Sequence, residues 1–527
     1  MNRYLLSICI SLATLSLALP ATAQEVSQKT PTPVSSSAEQ TPAEASVPNP
    51  EISDEEFYAR TLIFSVGSQH LYQKLQALLL ESEIQRRNNA GISFEFAEVA
   101  DLDVDNRIDK ITAVFLDQNP DLDFWVQIRD IGYTEESYRV EIRRQILLER
   151  LFFPPNPEDW PMDLLKEVFG GDVEGSVWNL TVKGMPAKLI EKGEPYDVDP
   201  NFMQYLLTPT VFRWMVDNAE IAYPFDGIKE GVCLVVNGLE VPTSQIIQRI
   251  TPMLSDVDEE RAATWVKLCK ALKEDLAKKG ILLTEAETQA IIDEEKKEYA
   301  NSGFTYEQII MEGLGFPTME MFLQYKQLRL SFRQTIAYPL PHEVVANHLK
   351  ERRQFIASGQ VKAEAILFAA KDLDTGSWPK TGSFEAAKTR SELAVQALLD
   401  GKPFHQVLPQ YSEYPEEVRG GAAGSGLNRG RFGSLQRNQL RQLLGESEFT
   451  DFMTGVSIGD ELFFDAEVDA VYGPRKGPLG YYLYRLINRS EPTVQVDFEG
   501  DERHTTFVQD DHLSVKFLAY IAEITGR

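Results

Sequence analysis

The sequence GPLGYYLYRLINRSEP at 477–492, together with VKAEAILF at 361–368, decides the fold of the C-terminal part of this chain. Both stretches contain apolar runs of strand length that are rich in aromatic and branched side chains, which favour strands. A helix pattern at 383–400, a Gly-rich segment and a short helix pattern around 435–444 lie between them. Strands that enclose helices in this order predict a compact α+β domain.

Helical periodicity dominates the chain upstream of these strands. Leucines recur at helical spacing from Leu71 to Leu79, and a second block begins with the strand-like run and turn GVCLVVNG at 231–238. The blocks share anchor points, since KLQAL at 74–78 is echoed by KLCKAL at 267–272. A divergent duplication and two unrelated sets of amphipathic helices both account for this pattern. In the second block the pattern predicts helices around 265–279, 285–301, 306–313 and 318–335, and one or two short strands are expected near 177–182.

The N-terminus predicts export. Arg3 precedes an apolar run from Leu5 to Leu19, and Ala21-Thr22-Ala23 follows as a cleavage site. We interpret 1–23 as a secretory signal peptide, because the apolar run is shorter than the ~20 residues that span a bilayer. Residues 24–53 are rich in Pro, Ser and Thr, and such a composition predicts a disordered linker.

The composition excludes several classes of protein. The 527 residues carry 52 Lys and Arg against 80 Asp and Glu, a net charge of −28. This balance argues against nucleic acid and against an anionic membrane as partners, because both require a basic surface. Only Cys233 and Cys269 follow the signal peptide, which excludes a disulfide-dense scaffold. Free buried thiols and a single disulfide between them are both left open.

The sequence predicts no metal site and no cofactor. The acidic run DLDVDNRIDK at 101–110 alternates acids as a calcium loop does, but it lacks the Gly and Glu positions that an EF-hand needs. We interpret it as a solvated acidic turn. His342 and His348 are six residues apart and do not share a helix face, so we interpret both as surface residues.

The order of motifs from about 231 onward resembles the exported SurA/PrsA-type foldases. The resemblance rests on VVNGLEVPTSQII (235–247) and GILLTEAETQAII (280–292) for a helical chaperone part. For a parvulin-type (PpiC-like) peptidyl-prolyl isomerase domain it rests on VKAEAILF, LLDGKPFHQVLPQYSE (398–413), GLNRGRFG (426–433) and GPLGYYLYRLINRSEP. It implies an α+β fold, with mostly helical chaperone domains and a small parvulin-like domain built on a four-stranded, mainly antiparallel sheet. The expected segments are 1–23 signal peptide, 24–53 linker, 54–230 helical domain, 231–345 chaperone domain, 346–492 parvulin-like domain and 493–527 C-terminal tail and helix packing on the helical part. The helix of this last segment is expected at about 512–524.

The resemblance also assigns the isomerase site, residue by residue. The parvulin fold has one histidine in its first strand and another in its last strand, and here those positions are Ala365 and Tyr482. Tyr414 stands where the family usually has Cys or Asp, and Leu479 replaces a small polar residue. The family's apolar side chains that hold proline correspond to Leu427, Phe432 and Leu435.

The resemblance implies a periplasmic or envelope foldase that binds unfolded or partly folded polypeptides. Prolyl isomerisation has a barrier of ~18–20 kcal/mol, and an enzyme lowers it with an apolar pocket and a few polar groups. Since the usual polar groups are replaced here, we expect weak or no isomerase activity. Two alternatives stay open: an active isomerase with a rewired pocket, in which the hydroxyls of Tyr414 and Tyr482 donate hydrogen bonds, and a non-catalytic envelope adaptor with one fixed partner.

Overall fold

A computed structural model gives the structure of the chain. It describes residues 52–91, 98–120, 122–130, 133–152, 162–169, 172–174, 177–182, 185–191, 208–222, 229–299, 305–373, 377–414, 430–492, 494, 496 and 502–526. The predicted signal peptide, most of the predicted linker and Leu427 lie outside these ranges. Within them, no helix is both long and apolar enough to cross a membrane.

The chain forms two compact units. The first contains Gly67–Met253, and the second joins the segment that ends at Val66 to Leu254–Arg527. The bounds of the six segments expected from the sequence, from the signal peptide to the C-terminal segment, stay predictions. Helices dominate both units and every sheet is antiparallel, so the predicted α+β class is confirmed.

The first unit packs helices beside two three-stranded sheets. One apolar cluster of this unit joins three of the helices and includes Val104, Phe115, Phe124 and Ile142. The strands near 177–182 were expected, and the structure has three in that region. The elements are α2 Ser68–Asn89, α3 Asp101–Gln118, α4 Phe124–Asp130, α5 Glu135–Phe152, α6 Met162–Phe169, β1 Asp172–Glu174, β2 Val177–Val182, β3 Met185–Glu191, α7 Thr208–Asp217, β4 Ile221–Ala222, β5 Val232–Val236, β6 Leu239–Pro242 and α8 Thr243–Ile250.

The predicted strand and turn at 231–238 form a β-hairpin. Asn237 and Gly238 connect β5 to β6 with φ angles of 49° and 80°. Two consecutive positive φ angles define the tight turn whose twist matches paired strands, and Asn-Gly is its preferred sequence. The turn therefore follows directly from these two residues.

Helices of the second unit surround an aromatic core. The core contains Trp265, Tyr325, Phe332, Phe452 and Phe517, which come from four separate helices and contact one another ring to ring. The helices are α1 Asp54–Ser65, α9 Asp256–Lys278, α10 Glu285–Tyr299, α11 Tyr306–Gln308, α12 Met319–Arg333, α13 His342–Ile356, α14 Ser383–Leu399, α15 Phe404–Tyr411, α16 Arg437–Leu443, α17 Glu448–Thr454, α18 Ile458–Asp460 and α19 Glu502–Thr525.

A four-stranded antiparallel sheet occupies the rest of the second unit, as the resemblance implied. Its strands are β7 Gln360–Ala369, β8 Arg431–Leu435, β9 Val471–Lys476 and β10 Gly480–Ser490, in the order β8-β7-β10-β9. The first and last strands of this part of the chain therefore pair at the centre. Alternate residues of these two strands enter separate cores, one against α14 and α15 and the other against α16 and α18.

Three interpretations from the sequence are corrected or settled by the structure. The acidic turn predicted at 101–110 is wrong, because Asp101 begins α3. Asp101 and Asp103 lie in the first turn of this helix, where the helix dipole favours negative charge. His348 is buried and not a surface residue. Cys233 and Cys269 are not joined in a disulfide and are both buried, and burial raises the pKa of Cys269 to about 12.

Candidate functional site

The positions assigned to the two histidines lie on one face of the central strand pair. Ala365 on β7 pairs with Tyr484 on β10, and Tyr482 pairs with Leu367. All four side chains belong to the same apolar cluster. Ala365 and Tyr482 are therefore diagonal neighbours across adjacent central strands, and neither is accessible to solvent.

Tyr482 is fixed by a hydrogen bond and by two close backbone approaches. Its hydroxyl donates to the carbonyl oxygen of Leu444 at 2.8 Å. A Cβ added at Gly477 would lie 2.6 Å from the Tyr482 ring, and one at Gly473 would lie 2.3 Å from the Tyr482 carbonyl oxygen. Burial, reinforced by Tyr414 and Glu446, raises the pKa of Tyr482 far above its usual value. The hydroxyl is therefore protonated and already bonded to the backbone.

Tyr414 makes the same kind of hydrogen bond, to the residue that precedes Leu444. Its hydroxyl donates to the carbonyl oxygen of Leu443 at 3.2 Å, and its ring packs edge-on against Phe432. Burial, and then the charge of Glu446, raise the pKa of Tyr414 well above its usual value. Two tyrosines thus hold consecutive carbonyls at the end of α16.

The side chains assigned to proline binding are core residues in the described structure. Phe432 is 2% exposed and Leu435 is 4% exposed, and both share the cluster that contains Ala365 and Tyr482. Leu479 packs against the backbone of Gly445, where an added Cβ would lie 2.7 Å from the leucine Cγ. These residues lie close together, and Leu427 falls outside the described ranges.

Buried charges beside this cluster were not anticipated from the sequence. The Glu446 carboxylate accepts hydrogen bonds from the Ser457 hydroxyl at 2.7 Å and from the amides of Ile458 and Gly459 at 2.5 and 3.0 Å. It therefore caps the amino end of α18. The sequence from Ser457 to Asp460 gives little indication of this cap, because the capping carboxylate belongs to a residue more than ten positions earlier.

A second set of charges ties the C-terminal helix to α13. His348 Nε2 lies 2.8 Å from Asp511 Oδ2, and Arg352 Nε donates to the same oxygen at 3.1 Å. Burial acts to raise the pKa of Asp511, but the bonds from His348 and Arg352 prevail and lower it. The sequence placed both partners on helices but gave no indication that the helices meet.

An open cleft lies between α12, α13 and α19. Its volume is about 490 Å³, within the range of roughly 300–1,000 Å³ that is usual for ligand sites. Its walls are mostly apolar, and they are formed by Phe332, Thr335, Ile336, Ala337, Leu340, Pro341, Val344, His512, Lys516, Ala519, Tyr520 and Glu523. Sequence analysis did not identify this cleft, because its walls come from two segments that are 168 residues apart at their nearest (344 to 512).

Neither the sheet cluster nor the cleft is arranged as a metal centre. Among the residues that the structure describes, no group of three or more His, Cys, Asp or Glu side chains is placed to hold a metal ion.

Comparisons with known proteins give only distant likenesses. No protein-family description matches the chain, and no curated protein does. Among solved structures, PrsA peptidylprolyl isomerase from Bacillus cereus is 16% identical, with 55% of this chain and 88% of that chain covered and a TM-score of 0.19. PrsA from Bacillus anthracis is 13% identical, covering 48% and 94%, with a TM-score of 0.20. Foldase protein PrsA from Streptococcus pneumoniae is 14% identical, covering 55% and 92%, with a TM-score of 0.20. At these scores the likeness carries no weight in assigning a family or an activity to this chain.

Proposed function

We propose that this chain is an exported protein-folding factor that binds unfolded or partly folded polypeptides in the periplasm or envelope. We further propose that its parvulin-like segment, 346–492, has weak or no prolyl isomerase activity. The sequence motifs support the first part, together with a strand arrangement that brings Ala365 and Tyr482 to the centre of one sheet.

One observation carries the second part. The position that would hold the last-strand histidine is Tyr482, and its buried hydroxyl is bonded to the Leu444 carbonyl. A group that stabilises a twisted substrate peptide has to face the substrate with a free donor or acceptor. Ala365 has no polar side-chain atom at all, so the pair lacks the polar chemistry that the resemblance would otherwise supply.

Two measurements on the purified chain test the proposal. The first follows cis–trans isomerisation of a proline-containing peptide, and we expect a rate close to the uncatalysed one. The second follows light scattering of an unrelated protein as it unfolds on heating, and we expect the chain to suppress its aggregation.

The outcomes separate the alternatives. A large isomerisation rate would contradict the proposed loss of activity and favour a rewired active site. Failure to suppress aggregation, combined with recovery of one stoichiometric partner, would contradict polypeptide binding and favour an adaptor.

A further inference from the structure

The cleft between α12, α13 and α19 has a floor that is built to stay apolar. Phe332, Leu340 and Tyr520 are each less than a tenth exposed, and Tyr520 stacks on Phe332 with ring centroids 4.7 Å apart. The Tyr520 hydroxyl donates to Asp275 at 2.5 Å, and this bond fixes the ring. A fixed aromatic floor suits an apolar side chain that enters from solvent.

A single lysine, Lys516, supplies the positive charge on the α19 side of this cleft. Lys516 is exposed, and it has no ion pair within the described part of the chain. His512 lies one turn earlier on the same wall, and its Nδ1 is buried without a hydrogen-bond partner. Glu523 is the single acid among the lining residues and lies seven residues beyond Lys516. An unpaired cation beside an apolar floor is complementary to a carboxylate that follows an apolar side chain.

The net charge of the chain limits which molecules can bind in this cleft. Two copies of a chain with net charge −28 repel each other, as do this chain and an anionic membrane. Lys516 is the one Lys or Arg among the lining residues, so the cleft attracts an acidic group only where that group can reach Lys516 itself. An unfolded polypeptide can do so, because its side chains are free to extend into a narrow cleft.

We propose that this cleft binds an extended stretch of unfolded polypeptide in which an apolar side chain is followed by an acidic residue. The apolar side chain occupies the floor of Phe332, Leu340 and Tyr520, and the carboxylate pairs with Lys516. This proposal rests on the proposed function and assigns its polypeptide site.

The test uses the purified chain and two labelled peptides, Ser-Gly-Phe-Leu-Asp-Gly-Ser and the same peptide with Lys in place of Asp. Fluorescence anisotropy measures their dissociation constants. We expect the acidic peptide to bind about fivefold more tightly, the factor that one close charge pair in water supplies. Lys516→Glu should reverse this preference.

A second variant tests the cleft itself. Ala519 is exposed and lines the cleft, so Ala519→Asp places a carboxylate in the site without removing a packed side chain. We expect this variant to raise the dissociation constants of both peptides roughly tenfold, because the bound apolar group would have to desolvate that charge. Val515→Asp, on the same helix but outside the cleft lining, is the matched control and should leave both constants unchanged.

The outcomes distinguish this site from the function on which it rests. Equal affinity for the two peptides, or a preference that Lys516→Glu does not alter, overturns the cleft assignment. If both cleft variants bind peptides and suppress aggregation as the unmodified chain does, the proposed function stands and the site is wrong. If the unmodified chain neither binds peptides nor suppresses aggregation, the proposed function itself fails.

Discussion

Tyr482→Phe tests whether the last-strand position has become a structural anchor. The hydroxyl that is removed donates to the Leu444 carbonyl at 2.8 Å, in a place where Tyr482 has no exposed surface. Losing the donor leaves a buried carbonyl without this partner, and such a loss costs about 1–3 kcal/mol. The ring stays, so the apolar packing of the sheet core is retained. We expect the free energy of local opening around Leu444 to fall by that amount.

Hydrogen–deuterium exchange of the peptides that cover α16 and α17 measures this local quantity. A global melting curve is less suitable, because a chain with two compact units need not unfold in one step. Tyr481→Phe is the control, since Tyr481 is the adjacent residue on β10, is partly buried and faces the opposite core. Its effect should stay within about 0.5 kcal/mol.

The reasoning is refuted if Tyr482→Phe opens this region no more than Tyr481→Phe does. In that case the hydroxyl would contribute nothing to the structure and would be free for another role. A gain in isomerase activity on removal of the hydroxyl would contradict the same reasoning from the opposite direction.

Three further predictions concern the same unit. Ala365→His should lower the free energy of unfolding by about 1–3 kcal/mol without restoring isomerisation, because the site is completely filled; urea unfolding and the proline-peptide assay measure both effects. Asp511→Asn should destabilise by roughly 3–5 kcal/mol at neutral pH, since it breaks a buried ion pair. Because the folded pKa of Asp511 is lowered, the stability that its carboxylate contributes is present above the unfolded pKa of about 3.9 and is lost as the pH falls through the folded pKa. The free energies of unfolding of the variant and of the unmodified chain should therefore converge in acid, which unfolding at a series of pH values measures. Phe517→Ala should cost about 3–5 kcal/mol in thermal or urea unfolding, because its buried ring contacts three others.

Matched variants make these predictions specific. Lys362→His adds the same side chain to an exposed position of β7 and should be nearly neutral. Val515→Ala shortens a half-exposed side chain of the C-terminal helix and should cost far less than Phe517→Ala. If Asp511→Asn is equally destabilising at pH 7 and pH 3, the ion pair is not the source of its effect.

The sequence predicted the central strands well but missed both edge strands of the four-stranded sheet. β7 and β10 are apolar runs, and runs of that kind are recognisable without knowledge of the fold. β8 contains Gly433, and β9 contains Gly473 and Pro474, which indicate a turn when only the sequence is considered. Proline is tolerated on an edge strand because one side of that strand forms no ladder hydrogen bonds.

Helix starts were predicted less well than helix interiors. The helix predicted around 265–279 begins at Asp256, where Ser255 and Asp258 form a capping box. The C-terminal helix, predicted from His512, begins at Glu502. Both extra segments are polar, so no apolar periodicity reveals them, and only the capping residues could have indicated the first.

The sequence names the residues of the candidate site but does not reveal their environment. The sequence gives Tyr482 and Ala365 at the two expected positions, and the structure makes them diagonal neighbours. It does not reveal that the tyrosine hydroxyls are bonded to backbone carbonyls, because Leu443 lies 29 residues after Tyr414 and Leu444 lies 38 residues before Tyr482 in the chain. Contacts between distant segments also explain why the cleft was not foreseen.

The short connection that follows α16 links the sheet to the helices in both directions. The carbonyls of Leu443 and Leu444, where α16 ends and the connection begins, accept the tyrosine hydroxyls of the sheet core. Phe449 and Phe452, just beyond the connection, contact Trp265 of α9. Excising the sheet segment would therefore remove the aromatic partners of α17 and expose an apolar patch to water, which favours aggregation. The excised sheet segment is therefore expected to be unstable, and the sheet is expected to fold together with the helices that supply these aromatic partners.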